Sequence, residues 1–248
     1  MSGHSKWSQI KRQKGAADAK RGAVFTKLGR EIVVAARQGG GDPAGNFRLR
    51  LAIQRARDAN MPADTIERAI KRAVGSGETD SLDEVTYEGY GPGGIAILVE
   101  AMTDNRNRTA ASIRSIFDRG GGNLGESGSV AWQFKARGVI SVSAPGKEEE
   151  VELAAIDAGA VDVQSEDGEV QIYTEREELE AVRRTLSEAG FEVTSAELSM
   201  VPDVTIDLDE QKSVTALKLL DKLENDDDVQ KVYTNAEFAE SAMAAFNA

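Results

Sequence analysis

The chain has 248 residues, a net charge of −12 and no cysteine, which excludes disulfides, a thiolate nucleophile and cysteine metal sites. Its longest apolar stretch, around residues 95–99, is far shorter than the roughly 20 residues of a membrane span, and no secretory signal precedes it. We therefore expect a cytoplasmic protein of two or three small domains with no membrane partner.

The charge is distributed unevenly along the chain. Residues 1–76 contain 16 of the 30 Lys and Arg but six of the 42 Asp and Glu, a net charge of +10, whereas the remaining 172 residues carry −22. Dense basic charge attracts polyanions, because Lys and Arg that neutralise phosphates release condensed counterions. The pattern predicts a nucleic-acid-binding head on an acidic body.

Residues 1–16 are polar and basic, and we interpret them as an arm rather than as part of a core. Four basic residues surround its one large aromatic side chain, Trp7: Lys6, Lys11, Arg12 and Lys14. This mixture suits phosphate contacts together with stacking on an unpaired base. The alternative is that Trp7 packs against the following helices as an apolar anchor.

Three helices are expected in the rest of this segment. Apolar residues at helical spacing predict the first over residues 18–38, Asp42 and Pro43 are typical of the start of the second, and the third follows Pro62. We expect the outward basic residues of the first and third helices to contact nucleic acid: Lys20, Lys27, Arg30, Arg68, Lys71 and Arg72. The alternative is that these side chains only keep the surface hydrated. Faces of that kind usually mix both signs of charge, whereas this one is basic throughout.

The second predicted helix has two basic stripes between two apolar arcs. Arg48 with Arg55 forms one stripe, and Arg50 with Arg57 forms the other. Such a helix is expected to lie between neighbours, with arginine stems reaching out at both edges.

The acidic body begins after a linker at residues 75–84. The segment GYGPGG lies between predicted strands at residues 85–90 and 95–102. It also matches G-x-G-x-x-G, but a dinucleotide loop needs a following helix to hold the pyrophosphate, and the next segment, IAILVEAM, is typical of a strand. We therefore expect a hairpin and no cofactor.

The remaining elements predict an α+β fold in which one domain interrupts another. Residues 138–200 have the order strand, helix, strand, strand, helix, strand of a ferredoxin-like domain. A second such set would be split around them, with strands at residues 95–102, 130–134, 204–208 and 229–233. The expected domains are a basic helical domain at 1–76, a discontinuous ferredoxin-like domain at 77–136 plus 201–240, and an inserted ferredoxin-like domain at 137–200.

Five segments of the chain are distinctive: GHSKW, DAKRG, NMP, GYGPGGIAILVEAMTDNRNRTA and SGSVAWQF. Together they closely resemble the YebC/PmpR family, whose mitochondrial relative is called the translational activator of cytochrome c oxidase. The resemblance covers the whole length and implies a non-enzymatic, cytoplasmic regulator of gene expression with a helical domain and two ferredoxin-like domains. Its members are described both as DNA-binding transcriptional regulators and as factors tied to ribosomes that stall.

The same resemblance implies where nucleic acid is bound. Lys6, Trp7, Lys11 and Arg12 would belong to a basic N-terminal surface. Arg106 and Arg108, in the segment TDNRNRTA, are a candidate second contact.

Three functions stay open at this point. We favour a ribosome-associated or RNA-associated translation factor that relieves stalled translation, with ribosomal or transfer RNA as partner. The third helix offers Arg68, Lys71 and Arg72 without a neighbouring Asn or Gln, which suits phosphates better than base edges. The alternatives are a sequence-specific DNA-binding transcriptional regulator and an adaptor whose acidic body docks a protein.

An enzyme is the remaining class to weigh. Carboxylates at residues 148–150, 207–210 and 226–228 have the chemistry to hold Mg²⁺, but each group lies at a predicted helix end or loop. The chain lacks cysteine, has one isolated histidine and shows no serine nucleophile motif. We expect no catalysis, no metal, no cofactor and no small-molecule substrate.

Overall fold

The computed structural model describes residues 19–75, 82–166 and 168–247. It confirms the predicted α+β class, with N-terminal helices followed by antiparallel sheets. The described residues form two compact units, one of residues 133–204 and one that combines the chain before and after that segment. None of the described helices is both long and apolar enough to cross a membrane.

The N-terminal bundle consists of α1 (Ala19–Gly39), α2 (Phe47–Asp58) and α3 (Ala63–Gly75). The apolar residues that follow helical spacing form its core, and Ile32, Leu49 and Ala52 are fully buried. Val74 is an exception among the apolar residues of α3, because it lies in the last turn of the helix and is 65% exposed.

The second helix begins at Phe47 rather than at Pro43. Asp42 opens a turn instead, and its Oδ1 accepts a hydrogen bond from the amide of Ala44 at 2.9 Å. Asn46 is the true N-cap, because its Oδ1 accepts a hydrogen bond from the third amide of the helix at 3.0 Å. Asp and Asn both favour such turns, so the sequence offers two starting points and packing selects the second.

Packing selects Asn46 because its amide group also binds the end of α1. Its Nδ2 donates to the carbonyl oxygens of Ala35 and Gly40, each at 2.8 Å. A Cβ atom on Gly39 would lie 2.6 Å from this Nδ2, so the close approach requires glycine there. The side chain of Asn46 thus starts one helix and fastens it to another.

The first half of a sheet domain follows: β1 (Asp83–Tyr90), β2 (Ala96–Thr103), α4 (Arg106–Arg119) and β3 (Asn123–Leu124). The predicted hairpin is confirmed, since β1 and β2 pair antiparallel around a single 3₁₀ turn at Pro92–Gly94. Gly93 and Gly94 both have positive φ angles, of 78° and 80°, which explains why the turn uses glycines.

The inserted domain contains β4 (Phe134–Ser143), α5 (Glu148–Asp157), β5 (Asp162–Glu166), β6 (Glu169–Thr174), α6 (Leu179–Glu188) and β7 (Glu192–Pro202). Its sheet has the order β5-β6-β4-β7 with antiparallel neighbours. This is the order of a ferredoxin-like sheet, as predicted. Residues of both helices, such as Val151 and Leu186, pack on the sheet and are fully buried.

The chain then returns to the first sheet domain with β8 (Ile206–Asp207), α7 (Glu210–Glu224), β9 (Val229–Thr234), β10 (Ala236–Glu237) and α8 (Glu240–Asn247). Strand β9 pairs with β2, which gives a four-stranded sheet of order β3-β1-β2-β9. The outer sheet is thus built from strands that lie on both sides of residues 133–204 in the sequence.

Two strands predicted for the outer sheet are wrong. Residues 131–133 form a 3₁₀ turn, and the strand that follows, β4, belongs to the inserted domain. Within residues 204–208, only the two residues of β8 are extended, and they pair in parallel with β10 as a separate ribbon. Strand β1 occupies the central position that the predicted strand at 204–208 would have filled.

Candidate nucleic-acid interface

Several predicted contact residues belong to the N-terminal arm. Lys6, Trp7, Lys11, Arg12 and Lys14 lie outside the described residues. Lys20 lies in the first turn of α1. These assignments stay predictions.

The two arginine stripes of α2 have different surroundings in the structure. The arginines of the first stripe, Arg48 and Arg55, both pair with acidic residues. Arg48 forms a salt bridge with Glu84 at the start of β1 and donates to Oε1 of Gln38 at 2.5 Å. This hydrogen-bonded pair lowers the pKa of Glu84 and raises that of Arg48. Arg55 pairs with Glu31 at 2.8 Å, and both side chains are mostly buried. The arginines of the first stripe are thus paired with acidic residues of the same molecule.

Arg50 and Arg57 form the other stripe, and both are exposed. The guanidinium of Arg50 lies 5.6 Å from the ring centre of Phe47 and donates to the carbonyl oxygen of Pro43 at 3.3 Å. Neither arginine forms a salt bridge among the described residues. The periodicity of α2 shows both stripes, but only the structure shows which one faces solvent.

The predicted contacts on α3 are also exposed. Arg68 pairs with Asp64 at 3.1 Å, and Lys71 pairs with Glu67 at 3.7 Å, one helical turn away in each case. Arg72 is exposed on the same helix. Exposed pairs of this type contribute little to stability, so a phosphate can compete for these side chains at low cost.

Lys27 and Arg30 of α1 instead contact the end of α7 and the loop that follows it. Nζ of Lys27 donates to the carbonyl oxygen of Glu224 at 2.5 Å. Arg30 donates to the carbonyl oxygen of Asp227 and forms a salt bridge with Asp228 at 3.1 Å. These two predicted contacts therefore connect the bundle to the outer sheet domain.

Asp228 is nearly buried and receives hydrogen bonds from α4 as well. Its Oδ2 accepts from Nη2 of Arg108 at 2.8 Å and from Oγ1 of Thr109 at 2.7 Å. Burial raises the pKa of Asp228, but these hydrogen bonds and the charges of Arg108 and Arg30 outweigh it, so the net pKa is lowered. Asp228 is thus a shared anionic partner for two helices.

The two arginines of the candidate second contact, Arg106 and Arg108, also differ in their partners and exposure. Arg108 pairs with both Asp104 and Asp228, each at 2.8 Å. Arg106 pairs with Asp83 at 2.7 Å, and its side chain is 64% exposed. Arg106 therefore stays the more accessible of the two arginines.

A further buried acid, Glu88 in β1, was not identified by sequence reasoning. Its carboxylate accepts hydrogen bonds from the backbone amides of Gly128, Val130 and Ala131 at 2.6, 2.8 and 2.7 Å. Burial raises the pKa of Glu88, but the three amides lower it by more. This carboxylate fixes the loop in the segment SGSVAWQF and explains why Val130 is buried without forming a strand.

The same loop presents Trp132, whose side chain is 74% exposed. Its Nε1 donates to the carbonyl oxygen of Ser129 at 3.1 Å, and the hydroxyl of Tyr90 donates to the same oxygen at 2.9 Å. The exposed indole is thus held in place by a loop that is itself fixed.

Two of the three acidic groups with the chemistry to hold magnesium, at residues 207–210 and 226–228, have structural partners. Asp209 caps α7 by accepting from the amide of Lys212 at 2.8 Å, and Asp226 accepts from Oγ of Ser112 at 2.6 Å. Among residues 19–75, 82–166 and 168–247, no group of three or more His, Asp or Glu is arranged to hold a metal ion.

Two family models together match most of the chain. A family model described as the TACO1/YebC protein N-terminal domain matches residues 5–76, and another described as the TACO1/YebC second and third domain matches residues 82–236. The chain belongs to the TACO1/YebC family. The resemblance of the five sequence segments is thereby confirmed.

Curated TACO1/YebC relatives match over almost their full length. The chain is 55% identical over 239 residues to a probable transcriptional regulatory protein of Dehalococcoides mccartyi strain CBDB1, covering 96% of this chain and 95% of the relative. It is also 55% identical over 247 residues to one of Moorella thermoacetica, covering 98% of each.

A solved structure has the same fold. The crystal structure of a conserved hypothetical protein from Aquifex aeolicus superposes with a TM-score of 0.86 at 47% sequence identity, covering 95% of this chain and 98% of that one. The α+β arrangement is therefore common to this chain and that protein.

Proposed function

We propose that this TACO1/YebC protein is a non-enzymatic nucleic-acid-binding regulator of gene expression that acts through its basic bundle. The observation that carries the proposal is the exposed set of cations on α2 and α3: Arg50, Arg57, Arg68, Lys71 and Arg72. They lie in a segment of charge +10 within a chain whose other residues carry −22. The names of the relatives, probable transcriptional regulatory proteins, support a role in gene expression.

The favoured mechanism is that of a ribosome-associated or RNA-associated translation factor relieving stalled translation. The exposed cations are spread over two helices, and α3 has no exposed Asn or Gln beside its three basic residues. Such a surface suits the phosphates of a folded RNA better than the base edges of a straight duplex. Ribosomal or transfer RNA is the partner that this arrangement favours.

A DNA-binding transcriptional regulator is the second candidate, and one feature of α2 favours it. Gln54 is exposed between Arg50 and Arg57, so Arg, Gln and Arg follow one another at helical spacing. Arg binds guanine and Gln binds adenine in the major groove, which makes this stripe chemically able to read bases. Gln54 also donates to Asp58 at 2.8 Å.

The binding surface can be tested with a charge-matched pair of variants. Arg50→Ala combined with Arg57→Ala should weaken binding to purified ribosomes and transfer RNA and reduce the log-log salt slope by about 1 to 2. Arg183→Ala combined with Arg184→Ala removes the same charge from α6 and should leave binding unchanged. If both double variants bind alike, the basic bundle is not the binding surface.

Competition at about 0.15 M salt separates RNA from DNA. A sequence-specific regulator should prefer one duplex over random DNA and ribosomes by about 10³-fold or more. Gln54→Ala should then relax that preference at one base pair. Under the RNA mechanism no duplex reaches this margin, and Gln54→Ala has little effect on ribosome binding.

A further inference from the structure

Helix α5 of the inserted domain has apolar side chains on two opposite sides. Val151 and Ala155 face the sheet and are fully buried, whereas Leu153 and Ile156 are 67% and 60% exposed. At about 100° per residue, the exposed pair lies about 200° and 140° around the helix from Val151. Val161, just after the helix, is 48% exposed. Leu153 and Ile156 thus form an outer apolar stripe that the sheet does not cover.

Carboxylates surround this outer stripe. Helix α5 contains five acidic residues and no basic residue: Glu148, Glu149, Glu150, Glu152 and Asp157. The helix dipole accounts for the first three, since negative charge is favourable at a helix N-terminus. It does not account for Asp157, which is the last residue of α5 and lies at the unfavourable end.

The other helix of the inserted domain, α6, contains basic residues that pair with its acidic residues. In α6, Arg183 pairs with Glu180 at 2.7 Å and Arg184 pairs with Glu188 at 3.9 Å. No basic side chain within the described chain pairs with an acidic residue of α5. Residues 133–204 hold 17 acidic and six basic residues, a net charge of −11. Uncompensated negative charge therefore lies beside an uncovered apolar stripe.

We propose that this outer face of α5 binds a basic amphipathic helix of a partner protein. The apolar side of such a helix would cover Leu153 and Ile156, and flanking Lys and Arg would pair with Glu149, Glu150 and Asp157. Nucleic acid and anionic lipid carry the wrong charge for this face. The apolar stripe is small, which fits a weak and transient partner. This surface lies outside the basic bundle and adds to the proposed function.

The proposal can be tested with full-length protein and a dye-labelled 18-residue peptide of Leu and Lys whose apolar residues repeat at helical spacing. A peptide of the same composition without that spacing is the reference. Fluorescence anisotropy should show tighter binding of the amphipathic peptide. Leu153→Ser combined with Ile156→Ser should weaken it at least tenfold, and Glu149→Gln combined with Glu150→Gln should weaken it severalfold.

Two matched variants serve as controls. Val74→Ser changes an equally exposed apolar residue in the basic bundle, and Glu177→Gln combined with Glu178→Gln removes the same charge beside α6. Both should bind the peptide as wild type does. Equal weakening by the control variants would overturn the proposal, because binding would then follow net charge or exposed apolar area anywhere on the molecule rather than the outer face of α5.

Sedimentation equilibrium tests whether a second copy of the chain, instead of a partner protein, covers the outer face of α5. Self-association of wild type that the Leu153 and Ile156 variant abolishes would overturn the partner assignment. A monomer in both cases supports it. The same variant should bind ribosomes and transfer RNA as wild type does, so failure of this proposal and failure of the proposed function are distinguishable.

Discussion

At the scale of single residues, the charge of Asp228 holds together parts of the chain that are far apart in sequence. Arg30 comes from the bundle and Arg108 from α4, and both reach the same nearly buried carboxylate. A buried carboxylate between two arginines is stable only while all three charges persist, since removing one partner leaves another incompletely compensated. The joint between the bundle and the outer sheet therefore depends on ionisation.

Asp228→Asn should lower the free energy of unfolding by about 2 kcal/mol at pH 7, less than for a fully buried pair because Arg108 is half exposed. Urea denaturation measures this change. Asp227→Asn removes the same charge from the exposed neighbouring side chain and should cost much less. An equal loss in both variants would mean that the geometry around Asp228 is unimportant.

The pH dependence of the same variant follows from the lowered pKa of Asp228, whose ordinary value is 3.8. Its charge contributes full stability above that ordinary value, and the contribution disappears as pH falls through the lower pKa of the folded state. The stability difference between wild type and Asp228→Asn should stay constant above about pH 5 and shrink below about pH 4. A difference that grows on acidification would contradict the assignment.

Single residues also show which contacts cannot be predicted from the sequence. The charge of Lys27 and Arg30 was correctly identified as part of a basic helix, but their partners lie almost 200 positions later. Local periodicity carries no information about such long-range pairs. The exposed arginines of α2 were recognised as a stripe, yet nothing local distinguishes Arg50 from Arg48, whose partner is Glu84.

At the scale of secondary-structure elements, one side chain determines where α2 begins and how it meets α1. Asn46→Ala should lower the free energy of unfolding by about 2 to 3 kcal/mol, through the lost N-cap and two unsatisfied carbonyl groups. Asn46→Ser keeps a capping oxygen but cannot reach the carbonyl groups of Ala35 and Gly40, so it should restore about 1 kcal/mol. Full recovery with Ser would show that the contacts to α1 contribute nothing.

The loop between β3 and β4 depends on Glu88 in a comparable way. Glu88→Gln should cost about 2 kcal/mol, because an amide cannot satisfy three backbone donors as a carboxylate does. In a Trp7→Phe background, the fluorescence anisotropy of Trp132 should fall as the loop loosens. Glu126→Gln, in the same loop and exposed, is the control and should change neither quantity.

Some secondary-structure elements are marked by a local pattern in the sequence, and others are not. Helices were predictable because apolar residues such as Ile32 and Leu49 repeat at helical spacing. The strand expected at residues 130–134 was wrong because the burial of Val130 results from the distant carboxylate of Glu88. Strands β3, β8 and β10 have two residues each, which is too short for any alternation to appear.

At the scale of the whole molecule, the inserted domain joins the outer domain through two neighbouring chain crossings. Phe134 and Pro202 face each other at the open ends of β4 and β7, and the amide of Asp203 donates to the carbonyl oxygen of Gln133 at 2.8 Å. Deleting residues 134–202 and joining Gln133 to Asp203 through two glycines should therefore leave a chain that unfolds cooperatively in calorimetry. A broad, non-cooperative transition would count against independent folding of the outer domain.

The pairing of β2 with β9 has a consequence for synthesis of the chain. Strand β2 is almost entirely buried, yet its neighbour β9 is made more than 120 residues later. Because domains generally fold as units while the chain emerges, the inserted domain can finish folding first. During that interval β2 lacks the partner strand that later covers one of its edges, and its unpaired backbone groups give the nascent protein a site for aggregation.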